Sequence, residues 1–222
     1  MLLDPADNMD RELLFCPHIY EWRERERLFS CVRPGDMFLD AGANIGVFSL
    51  QASSAVGPTG RVLAVEAEPG NAARLRLNIE RNNVSNVCVA NVGLSDRSET
   101  LKMGLNLSGN RAGHSFVATG EAAVSINCQP LCHIARSEGF SRIDVAKFDI
   151  EGFEFKVLRQ FFKEASPEMI PRVILFEEHE DLRAVAGGST SELLQANGYD
   201  VDHVFGLNYL ARHRDREKVA SA

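Results

Sequence analysis

The segment Asp40-Ala41-Gly42-Ala43-Asn44-Ile45-Gly46 decides how this chain is read. The apolar run Met37 to Leu39 precedes it and Val47 opens a helical pattern after it. A buried strand therefore ends in an acid, turns through two glycines and becomes a helix. Glycine takes left-handed backbone angles and lets a ligand approach the main chain. The amide groups at the start of the following helix form an anion site.

Outward from that turn, strand-length apolar runs alternate with helical patterns. Arg61 to Glu66 reads as a second strand, followed by Ala72, Leu75 and Ile79 at helical spacing, with Asn71 as the expected N-cap. Val87 to Leu94 is a third strand, Asp144 to Ile150 a fourth and Arg172 to Glu177 a fifth. Between the last two, Phe153, Val157, Leu158 and Phe161 share one helix face that Pro167 and Pro171 close, which makes a βαβ crossover. Ser189 with Glu192 forms a capping box and Asn197-Gly198 a C-cap. Asp200 to Phe205 and Asn208 to Arg212 then form a hairpin around Gly206-Leu207. The alternation predicts an α/β fold with parallel strands buried on both faces.

Two regions fall outside the alternation. Residues 1–33 read as an N-terminal helical extension, helical around His18 to Val32, ahead of one domain over 34–222. The amphipathic start from Tyr20 to Val32 has three places open to it: on the core, over the pocket, or against a second subunit in a homodimer. Residues 97–129 read as an inserted loop and hairpin. Gly104, Gly109, Gly113 and Gly120 break it up, and Val124 to Asn127 alternate with period two. Such an insertion either covers a pocket or decorates the surface.

Composition narrows the function classes. Of 222 residues, 31 are acidic and 24 basic, a net charge of −7, so no basic stripe exists for nucleic acid to follow. The mixed-sign clusters at Trp22 to Arg27 and Arg212 to Lys218 read as solvated faces. Apolar residues never run on for the roughly 18 positions that a membrane span needs. The five cysteines are odd in number and lack CxxC spacing, and the start has no signal-like segment, so a cytoplasmic protein is expected. Cys128, Cys132 and His133 lack a fourth ligand, and no metal is expected there.

The chemistry-bearing residues gather at strand ends. Glu66 closes the second strand, where an acid accepts the hydroxyl protons of a ribose. With the glycine turn it describes an adenosine ligand that also carries an anionic group. A nicotinamide site wants GxGxxG, but Asn44 stands where the second glycine would admit a pyrophosphate. The DxGxxxG form fits S-adenosylmethionine better: Asp40 or a nearby carbonyl accepts its amino group and the helix amides its carboxylate. At the end of the fourth strand, alternation puts Lys147, Asp149 and Glu151 on one side. Three buried charges are costly unless they pair or meet a ligand, so they are candidate catalytic residues, with a purely structural Lys147–Asp149 pair as the alternative. Glu177-Glu178-His179-Glu180 ends the fifth strand on the same edge, and carboxylates around His179 raise its pKa as a candidate base. His114 and Ser115 form a weaker pair.

These residues resemble the FkbM-type methyltransferases, a branch of the class I S-adenosylmethionine-dependent fold. The resemblance runs from about Pro34 to Arg212. It rests on PGDMFLDAGANIG (Pro34 to Gly46), VEAEPGN (Val65 to Asn71), GLSD (Gly93 to Asp96) and KFDIEGFEFKVL (Lys147 to Leu158). Ala67 stands where the family commonly has proline, Gly93 where it has alanine, and Cys132-His133 where acids usually follow the leucine. The resemblance implies a Rossmann-like three-layer sandwich, with a mostly parallel seven-stranded sheet and one antiparallel strand near the C-terminus. It implies biosynthetic O-methylation of a hydroxyl or carboxylate on a small metabolite or glycan. Asp40, Gly42, Asn44 and Gly46 would line the methionine end of the cofactor and Glu66 the ribose. Ser95 and Asp96 would lie near the adenine, Asp149 and Glu151 near the methyl group and acceptor. A noncatalytic cofactor-binding module and an NAD-dependent oxidoreductase are the alternative readings.

Overall fold

The computed structural model describes residues 1–104, 123–179 and 187–216. Two short helices, α1 (Asn8–Phe15) and α2 (Trp22–Phe29), lead into β1 (Met37–Ala41), α3 (Val47–Val56), β2 (Arg61–Val65), α4 (Pro69–Arg81) and β3 (Val87–Ala90). After β4 (Gly93–Leu94), β5 (Glu99–Gly104) and β6 (Ala123–Gln129) come α5 (Leu131–Ser137), β7 (Val145–Phe148), α6 (Glu154–Glu164) and β8 (Val173–Glu177). The chain continues through α7 (Thr190–Ala196), β9 (Tyr199–Phe205) and β10 (Asn208–His213).

The main sheet has seven strands in the order β3-β2-β1-β7-β8-β10-β9. β1, β2, β3, β7 and β8 run parallel, and β10 is antiparallel to both its neighbours. The central strands are apolar runs because both faces are covered. Leu39, Leu63, Ala146, Phe148, Ile174 and Phe176 pack under Leu131, Val157, Leu158 and Phe161 of α5 and α6. On the other face, Phe38, Val62, Val145 and Leu175 meet Leu28 of α2 and Phe48, Ala52 and Val56 of α3. The strand order reverses between β1 and β7, where open α/β sheets leave a crevice beyond the strand ends.

Four details differ from the sequence reading. The expected third strand breaks at Asn91, whose amide donates to Glu66 O (2.8 Å) and Ala67 O (3.1 Å). Gly93–Leu94 then pairs with β6 in a separate three-stranded sheet, β4-β6-β5. The N-cap of α4 is Glu68, whose carboxylate accepts the amides of Gly70 (2.8 Å) and Asn71 (2.6 Å), so Asn71 is already inside the helix. The N-terminal region forms two helices with a turn between them. Within Trp22 to Arg27, Glu24 is buried, so that stretch is not wholly a solvated face. His114, Ser115 and Glu180 lie outside the described residues. No helix among the described residues is long and apolar enough to cross a membrane.

Candidate functional site

Five strand ends and the N-terminal segment enclose a cavity of about 420 Å³ at the carboxyl edge of the sheet. Its floor is the turn after β1. Gly42 has φ +78°, and a Cβ there would stand 1.8 Å from the carbonyl oxygen of Asp149, so the β1 and β7 loops touch backbone to backbone. Only glycine permits that approach. Asn44 is also left-handed (φ 49°), which turns its amide toward Glu66.

Glu66 is 7% exposed, and its carboxylate accepts the Asn44 amide at 2.8 Å and the Glu68 amide at 2.9 Å. Burial pushes it up to about 7, against the pull of those two amides. Beside it Val65, Ala67, Asn71, Val92, Leu94 and Met103 line a mostly apolar end of the cavity, the last two brought there by the small sheet.

At the β7 end, Lys147 donates to Asp149 at 3.0 Å and stands over the Phe48 ring at 4.8 Å. Burial works against its charge, but Asp149, Asp40 and Glu21 outweigh that and raise its pKa. The structural pair and the cavity lining thus coincide. The strand has ended at Phe148, so Glu151 reaches the cavity through a left-handed turn (φ 55°), with Gly152 next to it, and strand alternation does not place it. Burial, then the charges of Asp149 and Glu177, push Glu151 up to about 7. Glu154 behind it accepts the Ile150 amide at 2.7 Å, and burial lifts it to about 8. His179 lies 3.3 Å from Glu177, and that contact raises it to about 9, so at neutral pH it carries a proton. Glu178 turns the other way, capping α7 through Ser189 Oγ (2.6 Å), Thr190 N (3.0 Å) and Ser191 Oγ.

The expected site residues divide into two groups. Gly42, Asn44, Glu66, Lys147, Asp149, Glu151 and His179 line one cavity. Asp40, Gly46, Ser95 and Asp96 are not among its lining residues. Asp40 is fully buried, and its Oδ2 accepts Ser49 Oγ at 2.6 Å and the Ser49 amide, so it caps α3 from behind; Oδ1 has no partner among the described residues. Gly46 is the left-handed residue at which α3 starts, packed under Leu75. Ser95 donates to Glu99 at 2.6 Å, and Lys156 bridges Asp96 and Glu99 at 3.1 Å each, which ties the small sheet to α6.

The sequence reading missed Met9, Tyr20 and Glu21, all of which line the cavity. Of the three places open to the N-terminal segment, two are occupied at once: Leu28 packs on the core, and Tyr20 and Glu21 cover the pocket. Met9 and Leu13 pack on Ile45, Arg74 pairs with Asp10, and Arg25 donates to Gln51 at 2.7 Å. Nothing local marks Glu21, which sits beside a run of mixed-sign charges.

The FkbM methyltransferase domain model matches residues 40–201. No curated protein matches the chain. Among solved structures, the methyltransferase FkbM of Methylobacillus flagellatus is 15% identical. The alignment covers 96% of this chain and 56% of that one, with a TM-score of 0.53. The precorrin-6y C5,15-methyltransferase of Geobacter metallireducens is 16% identical, covering 87% and 88% with a TM-score of 0.52. A SAM-dependent O-methyltransferase of Thermotoga maritima is 15% identical, covering 92% and 70%, also with a TM-score of 0.52. At these identities the structural likenesses speak to the fold, while the domain match spans most of the chain. The chain belongs to the FkbM methyltransferase family.

Proposed function

We propose that the protein transfers the methyl group of S-adenosylmethionine to an oxygen of a small metabolite or glycan. The observation that carries this reading is one cavity with Glu66 after β2 at one end and Asp149 and Glu151 after β7 at the other. Its volume falls in the range of small-molecule sites. The two Glu66 oxygens each keep a lone pair free for a ribose hydroxyl. The apolar walls from Val92, Leu94 and Met103 suit an adenine face, and the Gly42–Asn44 turn leaves backbone open to the methionine end. Asp40 and Gly46 support that turn from behind, and Ser95 and Asp96 brace the wall around the adenine.

S-adenosylmethionine supplies an electrophilic methyl carbon whose leaving group is a neutral thioether. Positioning an acceptor oxygen against such a carbon is worth on the order of 7 to 11 kcal/mol. A hydroxyl acceptor must also lose its proton. Glu151, held at about 7 in the cavity, is the best-matched base, since a base works best near the operating pH. Lys147 fixes the Asp149 carboxylate beside it. His179, protonated up to about 9, donates a hydrogen bond and orients the acceptor. The net charge of −7 supports an acceptor that is not a nucleic acid.

Calorimetric titration with S-adenosylhomocysteine, with NAD as control, tests the cofactor before any acceptor is known. Micromolar binding of the first alone supports the reading. Binding of NAD, or of neither, moves the oxidoreductase or the noncatalytic module to the front. With an acceptor in hand, Glu151→Gln lowers turnover more than cofactor affinity; equal losses in both sink its assignment as the base.

A further inference from the structure

We propose that the acceptor is a hydroxylated amine and that Glu21, which lies outside the stretch matched by the family model, is the residue that selects it by holding its ammonium group. This rests on the methyltransferase reading of the same cavity.

Glu21 occupies the N-cap position of α2 but makes no side-chain cap bond to that helix, and its backbone is left-handed (φ 45°, ψ 39°). Such angles are costly for a residue with a side chain and persist where the surroundings impose them. The carboxylate instead accepts the Tyr20 hydroxyl and lines the cavity. Its charge interacts with Lys147, Asp149 and Glu177, all carried on the sheet edge, while Glu21 comes from the N-terminal segment that forms a separate wall. An occupant of this end is therefore bounded by carboxylates from two walls.

The cations balance them only in part: Lys147 offsets the charge of Glu21 and, with His179, that of Glu151. Lys147 is committed to Asp149 at 3.0 Å and His179 to Glu177 at 3.3 Å. Glu21 and Glu151 make no ion pair among the described residues, and burial holds both up at about 7. A ligand carboxylate would add a third like charge, and a neutral hydroxyl compound would bring no cation beyond Lys147, His179 and the cofactor's own ammonium. An ammonium group pairs with them through charge-assisted hydrogen bonds.

Position along the sheet keeps this group clear of the nucleoside end. Glu66 follows β2 and Glu177 ends β8, three strand spacings apart in the order β2-β1-β7-β8, about 14 Å at the usual separation. Tyr20 and Phe153 supply aromatic wall at the cavity, a surface that tolerates a cation on its face.

The test uses two sets of related hydroxylated compounds carrying a cationic, a neutral or an anionic group: glucosamine, glucose and glucuronate, and tyramine, tyrosol and 4-hydroxyphenylacetate. Each is titrated calorimetrically into the full-length protein, with and without saturating S-adenosylhomocysteine. The S-adenosylhomocysteine titration is read first and judges the cofactor assignment separately. The amine member of at least one set should bind about tenfold or more tighter than its neutral partner. Glu21→Gln should bring the two to parity with S-adenosylhomocysteine affinity unchanged, the protein being kept below its melting transition, and Glu21→Asp should restore part of the preference. Parity within every set, preference for a carboxylate, no binding by any amine, or a preference that survives Glu21→Gln each overturns the proposal.

Discussion

Replacing Glu66 by alanine removes two jobs from one carboxylate, and they can be measured apart. In the free protein its two oxygens accept the amides of Asn44 and Glu68 at 2.8 and 2.9 Å, in a setting only 7% exposed. Alanine leaves both amides without an acceptor. Each buried unsatisfied group costs about 1 to 3 kcal/mol, so at about pH 5, where the raised Glu66 carboxyl carries little charge penalty, Glu66→Ala should lose about 2 to 6 kcal/mol of stability. For a chain of this size that is a fall of roughly 5 to 20 °C in melting temperature. Glu66→Gln keeps one acceptor oxygen and turns an N–H toward the other donor, so its loss should be intermediate. A hydrogen bond from a ribose hydroxyl to the carboxylate contributes about 1.5 to 3 kcal/mol, which predicts S-adenosylhomocysteine binding weaker by about 10- to 150-fold. Melting curves and calorimetry, run at a temperature where the variant is folded, read the two effects. Folded Glu66→Ala with cofactor affinity within about twofold of the parent would refute the ribose assignment. An unchanged melting temperature would refute the account of the turn.

Three further outcomes are expected. Burial holds the Glu154 carboxyl up to about 8, above its unfolded value, so the native chain binds the extra proton and stability falls as pH rises from about 4.5 through about 8. Glu154→Gln keeps an oxygen for the Ile150 amide and has no such proton to lose. By about pH 8.5 it should be more stable than the parent by about 4 to 5 kcal/mol, a gap that narrows to about 1 kcal/mol at about pH 5; parallel denaturation curves at the two pH values count against this. Gly42→Ala would drive a Cβ to 1.8 Å from the Asp149 carbonyl at φ +78° and should cost more than about 3 kcal/mol, so a variant melting close to the parent contradicts the contact. Arg172 pairs through both guanidinium nitrogens with buried Asp36 at 2.6 and 3.1 Å, so Arg172→Met should cost about 3 to 5 kcal/mol, partly recovered in the double variant with Asp36→Asn. S-adenosylhomocysteine affinity should not change, because neither residue lines the cavity.

Much of the fold was legible because its central strands carry a local signal. Strands covered on both faces must be apolar along their length, and Met37 to Leu39, Arg61 to Val65 and Val173 to Phe176 are nearly so. The glycine turn was legible for a similar reason, since left-handed angles restrict the residue type. The break in the third strand was not, because it depends on Asn91 reaching the backbone after β2, a contact that no periodicity reports. Capping by Glu68 in place of Asn71 was hidden as well: Asn has the stronger cap preference, and only the angle at which the chain leaves β2 gave Glu68 the position.

The candidate site divides along the same line. Asp40, Gly42, Glu66, Lys147, Asp149 and Glu151 were marked by sequence alone, because acids and glycines at the ends of apolar strands conflict with burial unless they have a task. Which of them face the cavity was decided by tertiary structure: Asp40 turned back to cap α3, and Ser95 and Asp96 were drawn off by Glu99 and Lys156. Glu21 is the sharpest case. In sequence it borders a run of mixed charges that reads as a solvated face, and its place in the cavity wall arises only when the N-terminal segment folds over strand ends more than a hundred residues further along the chain. A side chain's environment is set by what packs against it, and sequence reports that only when the packing partner is local or the backbone conformation restricts the residue type.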